Sequence, residues 1–188
     1  MDRSSDAADR TLTITRTFDA PRELVFKAWS QPEHLVRWWA PKGFTTPSCE
    51  MEFRPGGSYR TVMRSAEGKN ICMRGVYREV VPPERLVMTF AWEDEAGQPG
   101  HETLVTVTFD DEVGKTRLTF QQGVFETVEA RDSHFGGWNE FMDSLADYLA
   151  AQRARRPRDQ NASAHQSSVV CDLCCPFVTR RRRSRRIE

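Results

Sequence analysis

Residues 133–150 read SHFGGWNEFMDSLADYLA. Trp138, Phe141, Met142, Leu145 and Leu149 recur at i, i+3, i+4, i+7 and i+11, the spacing of one face of an α-helix. Asn139, Glu140, Asp143, Ser144 and Asp147 fall on the other side. With Thr127 as N-cap and Glu129 in the first turn, the helix extends over more than about twenty residues, roughly 30 Å. An apolar stripe of that length must be buried against a partner surface. Two adjacent glycines, Gly136 and Gly137, stand just ahead of Trp138, and each costs a helix interior about 1 kcal/mol relative to alanine. Two explanations are open. The missing side chains let another part of the molecule approach the helix backbone closely. Alternatively, Gly137 permits tight helix–strand packing while Gly136 marks a kink or a late helix start.

The partner surface lies upstream. Residues 11–18, TLTITRTF, alternate with Leu12, Ile14 and Phe18 on one side. Asp19 is placed to cap a helix and Pro21 suits its first turn, with Leu24, Val25 and Ala28 at helical spacing. Pro32 opens a second short helix, PEHLVRWW, which Pro41 and Gly43 end. From 45 to 123 the chain reads as strands separated by RPGG, EGKN, PPE, DEAGQPG and EVGK, an antiparallel meander. In the first of these strands Cys49, Met51 and Phe53 share one face, with Glu50 and Glu52 on the other. The order is strand, two short helices, about six strands and a long helix. A sheet apolar on one face has to be covered, and only the last helix is large enough to cover it. The expected class is α+β, with a strongly curved sheet of six to seven strands gripping the helix.

Bulk properties narrow the function. The chain has 188 residues, of which 38% are hydrophobic and 10% aromatic, enough for one globular domain and a tail. No apolar run approaches the roughly 20 residues of a membrane span. The polar N-terminus, MDRSSDAADR, lacks the apolar stretch of a secretory signal, so a cytoplasmic protein is expected. The net charge of zero conceals an asymmetry: residues 153–188 carry 10 arginines and 3 acids, whereas residues 1–152 carry 17 basic and 24 acidic residues. The acidic body is a poor nucleic-acid ligand. The five cysteines, an odd number without a secretory signal, are expected to be reduced thiols.

Several motifs together carry a resemblance. EHLVRWWAPKGF, FRPGGSY, PPERLVMTF and the spacing His134-x-x-Gly137-Trp138 before the final helix resemble the START-like (SRPBCC) superfamily, and within it the Hsp-90 ATPase activator-like branch. The resemblance covers about residues 11–150. It implies a helix-grip fold, a curved sheet wrapped around a C-terminal helix with a cavity between them. The expected domain is 10–151, followed by a disordered, arginine-rich tail, 152–188. The resemblance also implies binding of a small, largely apolar molecule, lipid-, aromatic- or polyketide-like. Two alternatives stay open. One is a chaperone-associated, stress-response interaction module. The other is a cyclase or hydrolase acting on polyketide-like substrates.

Given that fold, the cavity walls come from inward strand positions and the helix stripe. Alternation selects Phe53, Tyr59, Met63, Met73, Tyr77, Phe90, Trp92 and Phe120, with Gly137, Trp138 and Phe141 on the helix. Methionine and aromatic side chains suit an adaptable apolar site, and for each of them a place in a dry core is the alternative. Trp38, Trp39 and Phe44 form an aromatic cluster that is either a lid over the mouth or a plug at one end of the sheet. His134, one helical turn before Trp138, is either a proton carrier at the pocket edge or a hydrogen-bonded packing residue. Glu79 suits an ion pair with an arginine.

No Gly-x-Ser-x-Gly elbow, phosphate loop or His-Glu-x-x-His occurs, and no catalytic set, cofactor or metal is expected in the domain. In the tail, Cys171, Cys174 and Cys175 with His165 lack the second ligand pair of a zinc ribbon. RRRRSRR is either an electrostatic contact for nucleic acid or anionic lipid, or a solvated extension without a selected role. A monomer or homodimer is expected.

Overall fold

The alternating segments form seven strands in the computed structural model, which describes residues 7–163, with side chains through Arg155. β1 (Leu12–Phe18) is followed by two short helices, α1 (Arg22–Ser30) and α2 (Pro32–Leu35). The meander comprises β2 (Phe44–Met51), β3 (Ser58–Ser65), β4 (Asn70–Val81), β5 (Arg85–Trp92), β6 (Thr103–Asp111) and β7 (Thr116–Gly123). The long helix α3 (Val128–Ser163) comes last. Every pairing is antiparallel, in the order β1-β7-β6-β5-β4-β3-β2. The first strand therefore pairs with the last, from Leu12↔Gln122 to Phe18↔Thr116. The α+β helix-grip architecture expected from the sequence is the observed one.

Two irregularities bend the sheet. In β4 the register shifts between Tyr77 and Glu79. Such a bulge kinks its strand and increases the local twist. In β2 the register shifts between Thr45 and Ser48, where Pro47 lies. β2 is an edge strand, the setting in which a residue without a backbone donor is tolerated. Close approach fixes Gly75: a Cβ there would stand 1.9 Å from the Thr89 carbonyl oxygen and 2.7 Å from the Tyr59 ring.

The helix stripe packs as its spacing requires. Trp138, Phe141, Met142, Leu145 and Leu149 are all buried, and they join Val105, Val107, Phe109, Leu118 and Phe120 of the sheet in one core. Val25, Phe26, Ala28 and Trp29 of α1 complete it. The Ala130 N–H donates to the Thr127 hydroxyl at 3.1 Å, the N-cap the sequence suggests. Asp19 does not cap α1. Pro21 holds that position without a side-chain bond, while the Asp19 carbonyl accepts from the Arg153 guanidinium at 2.5 Å.

The chain divides into two units after Arg155, and all seven strands lie in the first. The expected domain limit at 151 falls within α3. The zinc donors suggested at His165, Cys171, Cys174 and Cys175, and the arginine run, lie outside the described residues.

Candidate functional site

At the Gly137–Trp138 end of α3 the packing between helix and sheet opens into a cavity of about 350 Å³. Its floor is Met63, Met73, Phe90, Trp138 and Phe141, all buried. Its mouth is Pro41, Phe44, Ile71, Trp92, Ser133, His134 and Gly137, all partly or fully exposed. Strand register assembles the sheet side, because Met63 lies opposite Ile71 and Met73 opposite Trp92 on neighbouring strands. The helix side comes from one face of α3, where Ser133, Gly137 and Phe141 recur every four residues. None of the lining side chains is a Lys, Arg, Asp or Glu.

The polar groups of the walls are largely engaged with one another. The Trp92 indole N–H donates to His134 Nε2 at 2.8 Å. An indole can only donate, so Nε2 accepts and the imidazole proton sits on Nδ1, which donates to the Ala130 carbonyl at 2.8 Å. Burial pushes the His134 pKa below the ordinary histidine value, partly opposed by the bond to Ala130. His134 is thus a neutral imidazole with both nitrogens occupied. Behind the floor, Trp138 Nε1 donates to Gln122 Oε1 at 2.5 Å. Gln122 Nε2 donates to the Thr103 hydroxyl at 2.8 Å, which in turn donates to the Phe90 carbonyl at 3.2 Å. This buried relay fixes the Trp138 ring. Trp39 supports the floor from below: its indole N–H points at Met73 Sδ, 3.1 Å away, and its ring meets Trp138 and Phe141 edge-on at 5.4 and 5.5 Å.

The residues singled out from the sequence divide between this cavity and the core. Phe44, Met63, Met73, Phe90, Trp92, His134, Gly137, Trp138 and Phe141 surround the cavity. Trp38 and Trp39 do not form a lid. They are 1% and 2% exposed and pack with Trp29, Trp38 donating to the Ala28 carbonyl at 3.0 Å, so they plug the interior while Phe44 alone reaches the mouth. Phe53, Tyr59 and Tyr77 form a separate aromatic cluster with Phe26, and the Tyr59 hydroxyl donates to the Thr89 carbonyl at 2.8 Å. Phe120 lies 4.3 Å from Trp138 within the core. Pro41, Ile71 and Ser133 line the cavity but were not selected by sequence. Alternation from Met73 reaches Ile71, and i, i+4 spacing from Gly137 reaches Ser133.

The glycines are not packing glycines. A Cβ added to either Gly136 or Gly137 would meet nothing within 4 Å, and α3 already runs unbroken from Val128. Gly136 faces outward, and Gly137 borders the cavity. Elsewhere, Glu79 pairs with Arg85 at 3.6 Å, and His34 on α2 is hydrogen-bonded to the Tyr148 hydroxyl on α3. A larger depression of about 700 Å³ lies on the outer face of the sheet, walled in part by Glu50, Glu52, Arg60, Arg74 and Glu102. Its arginines are already paired with Glu93, Arg60 at 2.6 Å and Arg74 at 3.9 Å. Among the described residues there is no cluster of metal-ligating side chains, and no helix is long and apolar enough to cross a membrane.

The comparisons with known proteins agree with this architecture. The family described as Activator of Hsp90 ATPase homolog 1-like protein matches residues 19–150. A crystal structure from Nitrosomonas europaea is 26% identical, with a TM-score of 0.66, covering 78% of this chain and 98% of the other. An AHSA1 protein from Silicibacter pomeroyi is 27% identical, with a TM-score of 0.69, over 76% of this chain and 99% of its own. A protein from Rhodobacter sphaeroides is 28% identical, with a TM-score of 0.66, over 76% and 94%. No curated protein matches the sequence. On the family match over residues 19–150, the chain belongs to the Activator of Hsp90 ATPase homolog 1-like family.

Proposed function

We propose that the protein binds a small, largely apolar molecule in the cavity between the sheet and the N-terminal half of α3. The observation that carries this reading is the 350 Å³ opening beside Gly137, walled by apolar residues of the sheet and of α3. A size of roughly 300–1,000 Å³, mostly apolar walls and a few fixed polar groups are the properties of small-molecule sites. Affinity would come from removing apolar surface from water. A pure protein-interaction module would have a filled core here. A hydrolase or cyclase would set a free acid or base in the space, yet His134 is the wall residue of that kind and its imidazole is engaged on both sides.

Native mass spectrometry of the protein as purified, with calorimetric titration against apolar aromatic and polyketide-like compounds, tests the proposal. A saturable 1:1 complex is expected, weakened by Trp138→Ala and abolished by Gly137→Leu. The leucine would grow into open space, so the variant should remain folded. An intact, folded protein that binds none of the compounds would remove this function.

A further inference from the structure

Resting on that reading, we infer the ligand's class: an electrically neutral, flat molecule of two to three fused rings, carrying one hydroxyl or carbonyl that meets Ser133 at the cavity mouth.

Size sets the first limit. A dry apolar cavity of about 150 Å³ takes up benzene, so the 350 Å³ here accommodates roughly two to three fused rings. Wall chemistry sets the second. Phe90 and Trp92 bring aromatic rings to the sheet side of the lining, and Trp138 and Phe141 bring them to the helix side. Aromatic pairs gain from offset and edge-to-face contact beyond the area they bury. A rigid ring system also loses fewer rotors on binding than an alkyl chain of the same volume.

Charge sets the third limit. No charged side chain lines the cavity, so a buried carboxylate or ammonium would lose its hydration without a counter-ion. Apart from Ser133, the walls offer no free donors. The Trp92 N–H and both His134 nitrogens are engaged together, Trp138 donates to Gln122, and Trp39 is directed at Met73. Ser133 is the remaining polar side chain of the lining, and its hydroxyl has no hydrogen-bond partner among the described residues. It lies at the mouth, next to His134 and one turn before Gly137. The ligand's single polar group therefore belongs at that end, with bare ring edges toward Met63, Met73 and Trp138.

Calorimetric titration of the full chain at pH 7 with naphthalene, 2-naphthol, 2-naphthoate and n-decanol separates the possibilities. 2-Naphthol should bind at least about tenfold more tightly than decanol. It should bind at least about a hundredfold more tightly than the charged naphthoate. It should also bind about three- to tenfold more tightly than naphthalene, the worth of one hydrogen bond. Ser133→Ala, a change at an exposed helix position, should erase only that last difference. Naphthoate or decanol binding as tightly as naphthol would overturn the ligand class while leaving the cavity a binding site. Tight naphthol binding unchanged by Ser133→Ala would overturn the Ser133 anchor. Failure of all four probes would overturn both this inference and the function it rests on.

Discussion

Gly136 and Gly137 share one helix and differ in surroundings, and neither is there for want of room. Gly136→Ala and Gly137→Ala should therefore each raise stability by about 1 kcal/mol, the helix-propensity difference, seen as a higher denaturant midpoint at unchanged slope. A packing glycine would behave oppositely, so destabilisation by Gly137→Ala would mean that a neighbour crowds the helix backbone at that position. Trp138 carries a different constraint. Trp138→Phe keeps a ring on the floor but removes the donor to Gln122, leaving a buried amide oxygen unpaired. We expect a loss of about 1–3 kcal/mol, partly recovered when Gln122→Leu is added, as a double-mutant cycle by urea melts would show. Little of this was legible in the sequence. A glycine pair announces missing side chains but not whether space or backbone lies opposite, and the proton position on His134 depends on Trp92, forty-two residues away.

The elements themselves were legible, because period identifies them. The five-residue stripe of α3 is buried throughout, and each strand lies where alternation and turn residues placed it. Leu145, wholly buried on that stripe, should cost about 2–5 kcal/mol when cut to alanine, whereas Asp147→Ala on the exposed side should stay within about 0.5 kcal/mol in the same thermal melts. Alternation identifies a face without giving position along it, which is why the site was only half legible. Tyr59 and Met63 point the same way from β3, yet four residues along a strand span about 13 Å. That distance carries Tyr59 into the cluster with Tyr77 while Met63 reaches the cavity. Tyr77 and Met73 divide in the same way on β4. The tryptophans at 38 and 39 were ambiguous for another reason: their burial depends on Trp29 of α1, whose contact with them no local pattern records.

Across the whole molecule, a curved sheet and one helix close tightly at the Leu145–Leu149 end and leave the opposite end open, where the one titratable wall residue, His134, is partly buried. This couples stability to pH in a definite direction. Burial holds the folded-state pKa of His134 below the reference value of 6.5, so between those two values the unfolded chain binds more protons than the folded one. Stability from this group is therefore complete above about pH 6.5 and is lost as pH falls toward the lowered value. His34 adds a component of the same sign, its pKa lowered by burial and then by Lys27. The carboxyl of Glu93, held below the ordinary range by hydrogen bonds from Arg60, contributes only at lower pH, since its stabilisation is lost as pH falls below about 4.5. The window from pH 6.5 down to the carboxylate range thus belongs to the histidines. Urea midpoints should fall across it, and His134→Gln should flatten that fall without abolishing it, because His34 remains. Protonated His134 presents an N–H where the Trp92 N–H must donate, so acid should also loosen the cavity mouth. Affinity for 2-naphthol, itself neutral throughout this range, should weaken in parallel with stability in the native chain and far less in His134→Gln. A slope unchanged by that substitution would assign the acid sensitivity to His34 and its contact with Tyr148 instead.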